Sequence, residues 1–177
     1  MRSISIVAAV AAVLVLDGQD ANAGCPQILN RNYASSLTFT IGTGAFELHG
    51  GTDNVHGWVT RDIGGGRYDF EVSAPLGLNL GHRWRAWSIR SVTVLLPGCP
   101  WQVDYIRAIS LRTAFAGTSD GWTLDSIGVV WNGIGHYEGS SNVRYGILLH
   151  IPSDPRSSIL HFTGTDPHRV WSHAVMP

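Results

Sequence analysis

An all-β chain folded as an antiparallel sandwich is what this sequence predicts, on three observations. Short runs of alternating apolar and polar residues recur along the chain, and breaks rich in Gly, Asp and Ser separate them. After the first two dozen residues, no amphipathic helix of convincing length is present. Many short strands with regular turn signals argue for a sandwich or barrel of antiparallel strands.

The amino terminus has a separate role. Arg2 is a small positive head, Ile4 to Leu16 is an almost unbroken apolar run, and Ala21-Asn22-Ala23 has the small-x-small form of a signal-peptidase site. The run is shorter than the ~20 apolar residues a membrane span needs. Residues 1–23 therefore read as an export leader, and the protein as secreted or periplasmic. Residues 24–177 read as one domain of about 150 residues, a length that closes a single core. No transmembrane segment is expected in it.

The strands are legible in order. Leu37, Phe39 and Ile41 point one way, with Thr38 and Thr40 opposite. Val55 to Val59 and Tyr68 to Val72 are short alternations either side of Gly64-Gly65-Gly66. Ile89 to Leu96 is a strand stopped by Pro97. Ile106, Ile109 and Leu111 mark another, and Leu124, Ile127 and Val129 the next, after the break Gly117-Thr118-Ser119-Asp120. Tyr145 to Ile151 and Ile159 to Phe162 complete the series.

Charge excludes some partners. The chain has 12 basic and 13 acidic residues, and none of the basic ones is Lys. Losing Arg2, Asp17 and Asp20 with the leader leaves 11 of each and no net charge. Nucleic acid, whose binding rests on neutralised phosphates, is not an expected partner. Cys25 and Cys99 both survive cleavage, and an even count in an exported chain favours a disulfide over free thiols.

Two distant segments have the look of halves of one site. Leu37 to Gly44 runs into Ala45-Phe46-Glu47-Leu48-His49-Gly50-Gly51-Thr52-Asp53-Asn54-Val55, and Asp120-Gly121-Trp122 opens the strand to Val130. In these segments the chain resembles the PLAT/LH2 family, β-sandwich modules found in lipoxygenases, lipases and many bacterial secreted proteins. Thr43-Gly44 and Gly51-Thr52-Asp53-Asn54-Val55 match the family's opening, and Trp122-Thr123-Leu124-Asp125-Ser126-Ile127-Gly128-Val129 matches its closing strand. Trp84 with Ser88 to Leu96 looks like its middle section. The Asp-Asn-Ser-Gly turn common before the family's Trp is absent here, and the tail from about Asn132 has no counterpart.

The resemblance implies a targeting module without a catalytic domain, directed at a lipid surface or a protein partner. Calcium would order its loops. Calcium takes six to eight oxygens, and the side chains expected to supply them are Glu47, Asp53 and Asp120, with backbone oxygens from Thr43, Gly44 and Gly51. Against this stands a plainer reading, in which Asp53 and Asp120 cap turns through bonds to backbone amides.

The seven Trp residues divide in the same way. Most large aromatics pack in cores, while Trp84, Trp87 and above all Trp122 are candidates for ligand contact, including stacking against a glycan. Catalysis is poorly supported. The chain has no GxSxG elbow and no HExxH, and its eight His residues show no zinc-ligand spacing. A small secreted hydrolase or toxin component, and a Trp-mediated carbohydrate binder, remain the rival readings.

Overall fold

The computed structural model describes residues 25, 30–51, 54–73, 76–114, 121–137, 140–154, 159–163 and 170–175. The leader, Asp53 and Asp120 lie outside the described residues. Two antiparallel sheets enclose one apolar core. The first runs β4-β1-β7-β8, made of β4 (Ile89–Leu95), β1 (Arg31–Thr43), β7 (Gly121–Tyr137) and β8 (Ser140–Ile151). The short β5 (Trp101–Gln102) pairs with β1, and β9 (Leu160–Thr163) with β7. The second sheet runs β10-β6-β2-β3, made of β10 (Val170–Ala174), β6 (Ile106–Ala114), β2 (Asn54–Ile63) and β3 (Gly66–Glu71). The expected sandwich is the observed fold.

Alternation places the core. Leu37, Phe39 and Ile41 of β1 are buried and pair with Trp131, Val129 and Ile127 of β7, also buried. On β2 and β6 the inward set is Val55, Val59, Ile109 and Leu111. Leu124 and Ile127 are three residues apart, and a strict two-residue period cannot bury both. The β1/β7 register shifts where Gly42 faces Ser126 and Thr43 faces Leu124, so Asp125 is an extra residue and both apolar side chains stay inside. The β2–β3 hairpin turns on Gly64 and Gly65 at φ 57° and 88°, which meets the positive-φ demand of a two-residue turn.

Cys25 and Cys99 form the expected disulfide, with Cα atoms 5.6 Å apart. The segment after Asn132, for which the resemblance offered no counterpart, is built into the sheets. It supplies the end of β7 and all of β8, β9 and β10. No sequence signal marked β5 or β10. β5 has only two residues, and β10 is an edge strand whose side chains are mostly exposed.

Candidate functional site

The fold joins the two distant segments. Where β1 ends, the Thr43 N–H donates to the Ser88 carbonyl at 2.8 Å and the Gly44 N–H to the Thr123 carbonyl at 2.8 Å. The Thr123 N–H returns a bond to the Phe46 carbonyl at 3.1 Å. Leu48 and Trp84 exchange both backbone bonds, at 3.0 and 2.8 Å, and the Gly51 N–H donates to Gly81 at 2.8 Å. The 44–51 loop is thus stitched to β7 on one side and to residues 81–88 on the other. Gly50 sits at φ 82° with the backbone of Gly81 and His82 so close that a Cβ would overlap both.

Beneath the loops lies an aromatic block. Trp122 is fully buried, stacked on Phe162 at 5.1 Å and edge-on to Trp84 at 6.2 Å. Its indole N–H donates to the Thr43 hydroxyl at 3.3 Å. Trp122 and Trp84, expected as ligand contacts, are therefore core residues. A turn at Gly121 does not expose the next side chain when the strand it opens faces the core. Trp87 is the member of that trio that stays outside, 73% exposed.

Trp87 also has unusual backbone. It sits at φ 57°, in the left-handed region that bulky residues rarely occupy. Its N–H donates to the Gly44 carbonyl at 3.0 Å, and the Ser88 hydroxyl to the Arg85 carbonyl at 2.6 Å. Leu80, on the same β3–β4 connection, has φ 50° and is 49% exposed. That connection is pinned by Leu78, 1% exposed, and by buried Asn79. The Asn79 side chain accepts from the Val55 N–H at 3.2 Å and donates to Asn54 and His82. Between and beyond these anchors, Leu76, Leu80 and Trp87 are held in solvent, and Phe46 is exposed on the neighbouring loop against His161. Exposed His82, Arg83 and Arg85 alternate with them.

Among the described residues, Glu47 and the backbone oxygens of Gly44 and Gly51, all predicted calcium ligands, have other partners. Glu47 is held by Arg83, whose Nε donates at 3.1 Å and whose terminal nitrogen donates to the second oxygen, with His49 3.7 Å away. The Arg83 hydrogen bond holds the Glu47 carboxyl below the usual carboxylate range. The Thr43 hydroxyl accepts from Trp122, the Gly44 carbonyl from Trp87, and the Gly51 carbonyl from Asn54 at 3.2 Å. Among the described residues no three His, Cys, Asp or Glu side chains come together as a metal site. Glu47, His49 and Gly121 line one shallow cavity of about 400 Å³. The described donors fit a cation only if Glu47 leaves Arg83.

Among the described residues, Ser73, His56 and Glu71 come together on the outer side of the second sheet. His56 Nδ1 lies 2.6 Å from Glu71, and Ser73 Oγ is 3.5 Å from that same Nδ1 while donating to Glu71 at 3.1 Å. A catalytic relay uses opposite nitrogens of the imidazole for nucleophile and orienting acid. Here both contacts fall on one nitrogen, so the group is a hydrogen-bond knot and not a relay.

No protein-family model matches the chain, and no curated protein matches it. Among solved structures, the alpha-toxin of Clostridium perfringens from avian strain SWCP is similar, with a TM-score of 0.44 and 16% identity. The alignment covers 75% of this chain and 34% of the toxin, so the chain spans about a third of that protein's length. No residue of the site is assigned from this likeness.

Proposed function

We propose that the protein is an exported, non-catalytic, PLAT/LH2-like module that docks on lipid surfaces through the Phe46 and Leu76–Trp87 loops. The observation that carries this reading is Trp87, a large amphipathic side chain held 73% exposed in a left-handed backbone that the fold maintains with hydrogen bonds. Strain of this kind is retained where the surroundings over-determine it, and it clusters at ligand-contacting sites. Indole rings favour the headgroup level of a bilayer, and neighbouring Arg side chains bring charge to anionic lipid. Burying one such ring contributes about 1.5–3 kcal/mol, so several weak insertions sum to useful affinity.

Calcium enters the proposal through Asp53 and Asp120. A cation there competes with Arg83 for Glu47, and freeing Arg83 adds a positive charge to the docking loops.

Co-sedimentation with phosphatidylcholine vesicles, with and without phosphatidylserine, tests the reading in millimolar calcium and in chelator. Binding to vesicles is expected, with a blue shift of Trp emission. Trp87→Ala is expected to weaken it by about tenfold or more, the equivalent of ~1.4 kcal/mol. Absence of binding to either vesicle in either buffer overturns the proposal. Equal binding in calcium and chelator, with a calcium-independent melting temperature for both wild type and Asp53→Asn, removes the metal from it.

A further inference from the structure

From Val72 to Val103 the chain has no Asp or Glu, yet His82, Arg83, Arg85 and Arg90 fall within one short stretch of it. The near-zero net charge of the whole chain hides this one-sided segment. Tertiary structure folds part of it into a cleft. β4 is an edge strand, and its register sets Arg90 opposite Ile41 and Ser91 opposite Thr40. The Ser91 and Thr40 hydroxyls bond each other at 3.0 Å on the outer side of the sheet. Arg90 thus stands on the inner side, in line with Val92 and Val94, where alternation calls for an apolar residue.

The β3–β4 connection passes beside Arg90 and leaves a cavity of about 310 Å³. Leu78, Trp84 and Val92 give it an apolar wall, while His82, Arg83 and Arg90 bring an imidazole and two guanidinium groups. Among the described residues, no Asp or Glu lines it. Arg83 spends two N–H groups on Glu47, and a guanidinium has five. Among the described residues, no carboxylate forms an ion pair with Arg90. Buried Asn79 ties the wall to Val55, Asn54 and His82, so the cleft is fixed in advance. An inward charge on an edge strand also discourages edges from pairing. One charge suffices for that, and three basic groups around one cavity call for an anion.

We propose that this cleft binds a phosphomonoester. Such a group carries a charge of about −1.5 to −2 at neutral pH and three terminal oxygens, one for each basic side chain. A carboxylate has two oxygens, and a phosphodiester has two free oxygens and a single charge. Arg forks meet phosphate oxygens in bidentate fashion. The cavity is at the small end of the ~300–1,000 Å³ of ligand pockets, a size for a headgroup and not for an acyl chain. Leu80 lines the same cleft and is one of the exposed docking side chains, so a bound phosphate lies beside a residue proposed to enter the bilayer. The inference deepens the docking proposal and rests on it for a lipid source; a soluble phosphomonoester offers the same chemistry.

Two probes separate the sources. Vesicle co-sedimentation in chelator compares phosphatidylcholine carrying phosphatidic acid, a phosphomonoester, with phosphatidylcholine carrying phosphatidylserine at matched surface charge. Nuclear magnetic resonance titration with glycerol 3-phosphate presents the same group without acyl chains. Binding about tenfold tighter to the phosphatidic acid vesicles is expected, and glycerol 3-phosphate should shift the amide signals of residues 78–92. Arg90→Gln and His82→Gln, both at exposed side chains, are expected to abolish the preference and the shifts. Binding to pure phosphatidylcholine and near-UV circular dichroism should stay unchanged in both. Shifts without a vesicle preference assign the cleft to a soluble phosphomonoester. Neither shifts nor preference overturns the inference, as does a preference that both variants retain. Vesicle binding through Trp87 without either signal overturns the cleft and leaves the lipid reading intact. Shifts without any vesicle binding overturn the lipid reading and leave the cleft.

Discussion

Removing the disulfide by the double change Cys25→Ser and Cys99→Ser is expected to lower the melting temperature sharply without altering the sheets. The two cysteines are 74 residues apart. In the chain-entropy account, closing a loop of that length in the unfolded state contributes about 4.5 kcal/mol. For a domain of this size each kcal/mol moves the midpoint by roughly 2–4 °C, so a fall of about 10–15 °C is expected. The folded state loses little, because β1 already brackets the Cys99 turn. Ser36 pairs with Leu95 before the turn, and Ala34 with Trp101 after it. The indole N–H of Trp101 also donates to the Pro97 carbonyl at 3.2 Å. The effect therefore acts through the unfolded ensemble, and far-UV circular dichroism at 25 °C should be unchanged. The assay is thermal denaturation of wild type and double variant without reductant, after intact-mass analysis has shown the wild type to be oxidised. A midpoint within about 2 °C of wild type would refute the loop-entropy reasoning. A loss of sheet signal at 25 °C would show instead that the bond is needed to form the native state.

Two further outcomes rest on particular residues. A Cβ at Gly133 would overlap the carbonyl oxygen of Tyr33, a backbone atom on the paired strand, so Gly133→Ala should cost about 3 kcal/mol, whereas Gly128→Ala, whose nearest new contact is 3.8 Å, should be near neutral; paired denaturant melts check this. The Asp62 carboxyl is held below its ordinary value by a hydrogen bond from Arg107, with Arg67 assisting. A depressed folded-state value gives stability that is present above the unfolded pKa of about 3.9 and is lost as pH falls through the folded one. Asp62→Asn should therefore flatten the decline of the melting temperature below about pH 4, measured by thermal melts from neutral pH downward.

The amino-acid sequence determined the fold class and most of the strands, because alternation is a local property. Each run from Leu37–Ile41 to Ile159–Phe162 lies on or overlaps an observed strand, since a half-buried strand must place every second side chain in the core. It also determined the Cys25–Cys99 pairing, since two cysteines offer only one bridge. Tertiary structure decided what local pattern leaves open. β10 acquires strand geometry from β6 and not from its own side chains, of which only Trp171 packs against the core. Trp84, Trp87 and Trp122 share a residue type and similar turn-like neighbours, yet two form the aromatic block and one is held outside in left-handed backbone. Glu47 met Arg83, a residue 36 positions away that no motif connected to it. On β8 the alternation marked a strand without saying which face met the core: Leu149 is buried, while Tyr145 and Ile147 are exposed. Burial, exposure and ion pairing depend on which distant segment arrives opposite a residue, and that is fixed only when the sheets close.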